Sequence, residues 1–325
     1  MRKTTTCSQI ALKKNSYWRA YKRLTARYNR VMQWQNTIQE FLTHLKNERN
    51  ASQNTVMAYR NDLSQFAEFL EKNLPGDADW SQVTQGYLND YVVAMQSKYT
   101  PSTSARKIAA LKTLFHWLSQ RGLSGENPSM RLKSPRVEKK APRILSEEDV
   151  NRLFESTRSV SAPRSLRDRA LLELIYSTGM RVSEAISLRL SDVDFAAGTA
   201  RCEGKGTRQR SAPLTASAVA ALKDYLENAR TEMLGQNAGD HIFLNPLGSR
   251  LTRQAVWMTT RQYARAASID GEVTPHTLRH SRAAHMLQKG EDVRRVQEWF
   301  GHANLATTQM YVQKETKPAV LAVAS

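Results

Sequence analysis

The chain has 325 residues, 40% of them hydrophobic, and its 48 Lys and Arg against 30 Asp and Glu leave a formal net charge of +18. That composition excludes a wholly disordered chain and suits two globular domains, while the excess positive charge fits nucleic acid first, with an anionic membrane surface or simply solvated charge as the alternatives. No apolar run reaches the ~18 residues a membrane span needs, and the charged N-terminus carries no apolar signal core, so the expectation is a cytoplasmic protein and not a membrane one.

Residues 1–31 hold Arg2, Lys3, Lys13, Lys14, Arg19, Lys22, Arg23, Arg27 and Arg30 and no acid. Tyr17, Trp18, Tyr21 and Tyr28 interleave with these cations, which suits phosphate contacts with base stacking. Two readings stay open for this basic arm: an accessory DNA contact, or a leader before a start at Met32. From Gln33 the pattern turns helical, with Trp34, Ile38, Phe41, Leu42 and Leu45 on one face. A second helix from Ser52 carries Val56, Tyr59, Leu63, Phe66 and Leu70 and ends at Pro75-Gly76. Further amphipathic stretches near Val83–Met95 and Ser102–Leu118 complete a four-helix domain over 32–121.

Residues 122–145 read as a basic linker interrupted by Pro128, Pro135 and Pro142. Arg131, Lys133, Arg136, Lys139, Lys140 and Arg143 there suit a segment that tracks a DNA backbone and gains from released counterions. Ser146-Glu147-Glu148-Asp149 reads as a helix cap and opens a second domain over 146–318. Its predicted helices span 147–158, 166–177, 182–189, 215–233, 252–267, 276–288 and 292–300, with another around Tyr311. A strand pair from Thr199 to Leu214 flanks the tight turn Gly204-Lys205-Gly206. The fold class is therefore mainly α with a small β-hairpin, and two readings stay open for the short apolar tail 319–325: a segment that docks on a neighbouring subunit, or a frayed end. Cys7 and Cys202 have neither disulfide-framework nor zinc-site spacing.

Four segments concentrate cationic or protic side chains beside turns: Thr178-Gly179-Met180-Arg181-Val182-Ser183-Glu184, Gly204-Lys205-Gly206, His276-Thr277-Leu278-Arg279-His280, and Gly301-His302 followed by Tyr311. Each alone is a weak signal. Positions three apart on a helix are neighbours, so His276 and Arg279 can share an anion. Two arginines, a lysine, two histidines and a tyrosine without clustered carboxylates suit phosphoryl transfer by positioned cations, since Mg²⁺ would want Asp and Glu ligands. No cofactor or metal is implied.

In this order the segments resemble the tyrosine recombinases (phage integrase family), and the chain from Met32 resembles the Xer branch that resolves chromosome dimers. The resemblance implies a SAM-like N-terminal DNA-binding domain and a mixed α/β catalytic domain forming a clamp on duplex DNA. By it, Tyr311 is the nucleophile, Arg181 and Arg279 grip the scissile phosphate, and Lys205 protonates the departing 5′ oxygen. His276 assists proton transfer from the tyrosine, His302 hydrogen-bonds the phosphate, and Glu184 orients Arg181 from behind. It further implies double-stranded DNA with inverted-repeat arms, a tetramer on two sites, and a Holliday junction, with a paralogous recombinase and a septal DNA translocase as further partners.

Candidate DNA contacts are Thr55, Arg60, Ser102 and Arg106 in the first domain, the linker cations, and Arg253, Gln254 and Arg261 in the second. Phe300 stands where the family commonly has Leu, and Arg282 where an aromatic is frequent; neither is expected to touch a catalytic group, and Arg282 reads as a solvated arginine. Rival readings are a mobile-element integrase, a type IB topoisomerase and a non-catalytic DNA-binding protein.

Overall fold

The computed structural model describes residues 33–75, 78–137, 142–159, 163–203, 209–234 and 239–301. The chain divides into two compact units, Met1–Lys139 and Lys140–Ser325. Among the described residues, no helix is long and apolar enough to cross a membrane.

The first unit is helical: α1 (33–47), α2 (Gln53–Asn73), α3 (Gln85–Gln96) and α4 (Pro101–Gln120), with a short 3₁₀ turn at Trp80–Gln82. Trp34, Ile38, Phe41, Leu42 and Leu45 all face the core, as their spacing requires. Trp80 packs edge-on against Trp34 at a centroid distance of 4.3 Å and against Phe115 at 5.9 Å, an arrangement that matches aromatic edges to faces. Helix α2 stops at Asn73 because the residue before Pro75 is driven out of the helical region, and Leu74 is extended. One charge cluster lies inside this unit. Asp62 is buried and paired with Lys107 at 3.1 Å and with Arg106, and the buried Lys107 ammonium also reaches Gln65 and lies 4.6 Å from the Tyr99 ring centroid.

The second unit contains α5 (Glu147–Ser156), α6 (Arg164–Thr178), α7 (Val182–Ser187), α8 (Ala216–Asn228), α9 (Arg253–Ala266), α10 (Pro275–Gln288) and α11 (Val293–Phe300). Its antiparallel sheet runs in the order β1 (Val193–Asp194), β2 (Thr199–Glu203), β3 (Gln209–Pro213), with Thr199 opposite Pro213 and Cys202 opposite Arg210. The strand β1 has no counterpart in the sequence reading. It is two residues long, below any periodic signal, and exists because Asp194 accepts from the Ala196 and Ala197 amides and turns the chain back onto β2.

Helix α8 also ends earlier than its apolar pattern suggests, and the structure supplies the reason. Arg230 is drawn into the protein, where its guanidinium donates to the His241 carbonyl at 2.8 Å, and only a 3₁₀ turn at Thr231–Met233 follows. Segment 122–145 is anchored at both ends, Leu132 in the core of the first unit and Leu145 in that of the second. The Leu145 amide donates to Ser281 at 2.8 Å, and its carbonyl accepts from His285 Nε2 at 2.9 Å. His285 Nδ1 meets the Tyr176 hydroxyl at 2.8 Å, so Nε2 carries the proton and Tyr176 donates. This chain of contacts fixes α10, the helix that presents His276 and Arg279.

Candidate active site

Four helix ends build the site. Helix α6 terminates at Gly179, whose φ of 61° is the left-handed conformation glycine adopts without strain. The chain turns there, Met180 is buried, and Arg181 becomes the N-cap of α7. Glu184, three residues on, accepts from the Arg181 backbone amide at 2.8 Å and from Arg181 Nη1 at 2.8 Å. The Thr-Gly-x-Arg-x-x-Glu spacing is thus a helix stop followed by a helix start that closes on its own carboxylate.

Helix α10 begins at Thr274, whose hydroxyl accepts from the Thr277 amide at 3.3 Å, with Pro275 in the first turn where its missing N–H costs nothing. Arg279 is buried, and its guanidinium donates to the Gly179 carbonyl and, at 2.5 Å, to the Phe300 carbonyl. Helix α11 is capped by Asp292, which accepts from the Arg294 amide at 2.8 Å, and ends at Gly301 with φ 59°. The Gly301 carbonyl accepts from Arg181 Nη2 at 3.0 Å. Arg181 and Arg279, 98 positions apart in sequence, therefore meet on consecutive carbonyls of one helix end. Lys205, His302 and Tyr311 lie outside the described residues; Gln209 opposite Glu203 closes the strand pair around 204–208, and Gly301 immediately precedes His302.

Electrostatics suit an anion and a proton acceptor. Burial alone would raise Glu184, but the Arg181 amide and Arg210 outweigh it and hold the carboxyl below its ordinary value. His276 surfaces on α10, yet surrounding protein withholds enough water to lower its pKa, and Arg279 and Arg181 lower it further. It is neutral near pH 7. Its neighbour His280, with ring centroids 6.4 Å apart, is pushed down to about 4 by burial, then by His276 and Arg279.

This has a consequence for stability: the unfolded chain takes up a proton at His280 near the ordinary 6.5, whereas the folded chain resists until about 4. Stability is therefore lost as pH falls through that window, by at most about 1.4 kcal/mol per pH unit for this group. In thermal melts from pH 7.5 to 4.5, His280→Asn is expected to show a shallower decline of Tm than the parent; an identical slope would refute the assignment.

Two expectations are corrected here. Phe300 does touch a candidate catalytic group: its ring is fully buried, its centroid lies 5.1 Å from the Arg279 guanidinium carbon, and it packs beneath Gly179. Arg282 is not simply solvated, because its guanidinium lies 5.5 Å from the Tyr176 ring centroid. The sequence reading also missed Arg210, which donates to Glu184 at 2.9 Å from β3. Strand alternation held the signal, since Arg210 shares the inward face with the buried Ala212.

The candidate DNA contacts divide by unit. Thr55 and Ser102 sit in the first turns of α2 and α4, both capped by side chains and free of acids there, so their amide dipoles favour phosphate. Arg60 pairs with Gln39 at 2.9 Å and Arg106 with Asp62. Arg131, Lys133 and Arg136 are exposed, and Lys139 and Lys140 lie outside the described residues. In the second unit Arg253 and Gln254 are exposed at the start of α9, and Arg261 stacks over Trp257 at 4.5 Å. A polar cleft of about 830 Å³ opens beside Glu184 and is lined by Ser183, Ser187, Arg201, Gln209 and Arg250 among others.

Residues 143–317 match the phage integrase family and residues 38–122 match its N-terminal SAM-like domain. The chain is 42% identical over 277 residues to tyrosine recombinase XerC of Roseiflexus sp. (strain RS-1), covering 84% of this chain and 88% of that protein. It belongs to the tyrosine recombinases. Tyrosine recombinase XerD of Halalkalibacterium halodurans is 39% identical, covering 85% and 92% of the two chains. The fold agrees with the XerH site-specific recombinase in its post-cleavage complex with a palindromic difH substrate, at a TM-score of 0.69, 25% identity, and coverage of 90% and 91%. As a tyrosine recombinase this protein is a site-specific enzyme of DNA strand exchange, with the SAM-like and catalytic parts its sequence resemblance implies.

Proposed function

We propose that Arg181 and Arg279 hold the scissile phosphodiester while Tyr311 attacks it. The observation that carries this is their convergence on the Phe300 and Gly301 carbonyls, immediately before His302. A guanidinium has five N–H donors. Arg181 Nη1 donates to Glu184 and Nη2 to the Gly301 carbonyl, which aims the side chain and leaves it capacity for phosphate oxygens.

In the proposed step the Tyr311 phenolic oxygen forms a bond to phosphorus and the bond to the 5′ oxygen breaks. The phenol proton passes to neutral His276, and Lys205 gives a proton to the departing 5′ oxygen. His302 hydrogen-bonds the phosphate. The resulting 3′-phosphotyrosine is then attacked by the 5′ hydroxyl of a second strand, which restores a phosphodiester and frees the tyrosine, so no nucleotide cofactor is consumed. Positioned donors of this kind are worth about 10²–10³ in rate each.

Identity of about 40% to XerC and XerD proteins over most of both chains supports the resolution of chromosome or plasmid dimers. In that setting the substrate is duplex DNA with inverted-repeat arms in the nucleoid, and four subunits act on two sites through a Holliday junction. The partners are then a paralogous recombinase and a septal DNA translocase. Boundaries near residues 31, 121, 145 and 318 belong to the same proposal, with the terminal segment docking on a neighbouring subunit. The test is incubation with nicked suicide duplexes in EDTA, digestion, and mapping of the DNA-linked peptide. Linkage at Tyr311 is the expected result; linkage elsewhere, or none on DNA that is tightly bound with both recombinases present, would overturn it.

A further inference from the structure

We propose that Arg210 is a positioning residue for strand cleavage, locking the Glu184 carboxylate that aims Arg181; this rests on the reading of Arg181 as a phosphate-binding arginine. Two guanidiniums share that carboxylate. Oε1 accepts from Arg181 Nη1 at 2.8 Å and from Arg210 Nη1 at 3.4 Å, while Oε2 accepts from the Arg181 amide at 2.8 Å and from Arg210 Nη2 at 2.9 Å. Each oxygen thus has one partner from each side. With Arg210 removed, the carboxylate would keep only Arg181 among these partners.

Exposure is graded through the three side chains: Arg181 is 38% exposed, Arg210 15% and Glu184 7%. The open arginine is the one aimed at substrate, and the covered one stands behind the carboxylate. Placing a charge on the inward face of a small sheet is costly unless it is paired, and one carboxylate between two guanidiniums leaves a surplus positive charge. A phosphodiester carries the charge that would balance it.

The position of Arg210 links the two segments that hold the remaining candidate groups. It lies one residue beyond Gln209, which pairs with Glu203 where β2 and β3 end on either side of the sequence segment 204–208 that contains Lys205. It also fills the space a side chain at position 301 would take, since a Cβ on Gly301 would come within 2.8 Å of Arg210 Nη1. One side chain thereby ties strand β3, the Arg181–Glu184 unit and the backbone before His302 into one body.

The experiment compares single-turnover adduct formation on a nicked suicide duplex for the parent, R210Q, R210K, E184Q, R210Q/E184Q and R181Q, with gel-shift affinities and melting curves. R210Q is expected to slow cleavage about 10–100-fold, the range for removing a partner that orients a reacting group, with DNA affinity within about threefold. In the E184Q background the same change is expected to cost less than about twofold, because coupled residues are not additive. Arg210 helps keep Glu184 ionised, so its loss raises the Glu184 pKa and moves the acid limb of the rate profile to higher pH.

Parent-like cleavage by R210Q, or an equal loss with and without Glu184, overturns the proposal. Should R210Q not fold, R210K decides: an ammonium cannot span both oxygens, so slower cleavage supports the proposal and parent-like cleavage overturns it. If R181Q cleaves normally, the reading of Arg181 has failed; if R181Q is slow while R210Q is normal, only the role of Arg210 has failed.

Discussion

Tyr311→Phe is expected to abolish the covalent protein–DNA adduct completely while leaving duplex affinity within about twofold, since a change confined to one hydroxyl typically shifts free energies by about 0.5 kcal/mol or less. An ordinary phenol has a pKa near 10 and is almost wholly protonated at pH 7, so attack on phosphorus needs a proton acceptor and a positive surrounding. In the proposed mechanism His276 and the two arginines meet these needs: partial loss of water and then Arg279 and Arg181 lower the His276 pKa, and the arginines converge on the segment that leads to His302 and Tyr311. Phenylalanine keeps the ring and loses the only atom that can bond to phosphorus. The assay is a denaturing gel of the nicked suicide duplex in EDTA. A persisting adduct in Tyr311→Phe would show that another residue is the nucleophile and would remove the central assignment.

Much of this architecture is legible in the sequence, for specific reasons. Helix α1 follows from the spacing of Trp34, Ile38, Phe41, Leu42 and Leu45, all of which are buried. The start of α5 follows from Ser146, whose hydroxyl accepts from the Asp149 amide at 3.0 Å. What was not legible depends on tertiary partners. The early end of α8 is set by the His241 carbonyl that captures Arg230, and nothing near residue 230 announces it. The motifs identified Arg181 and Arg279 as types, but not that backbone carbonyls at positions 179, 300 and 301 hold them. Arg210 escaped for a related reason, because one strand residue counts only when its cross-sheet neighbours are known.

Gly179→Ala is expected to destabilise the second unit by about 2–5 kcal/mol, combining about 1–2 for a Cβ in the left-handed region with about 1–3 for overpacking a filled core. Both contributions are specific to this position. With φ at 61°, an alanine Cβ would sit 2.4 Å from Phe300 Cε1, and that ring is fully buried in a cluster with Ala283, Ala284, Met286 and Val296. Gly290→Ala is the control, since its φ is 87° but nothing lies within 4 Å of the added carbon, so it carries the backbone strain without the collision.

The expected drop in Tm is about 5–15 °C for Gly179→Ala and several degrees less for Gly290→Ala, at about 2–4 °C per kcal/mol. Cleavage is expected to suffer beyond this loss of fold. The Gly179 and Phe300 carbonyls both hold Arg279, and pushing the ring away from residue 179 separates them. Phe300→Leu placed in the Gly179→Ala background should therefore restore part of the stability it would remove from the parent, a sign reversal that only contact between the two positions produces. Equal melting of the two glycine variants, or simple additivity in the double variant, would show that the ring yields and that the glycine serves the turn alone.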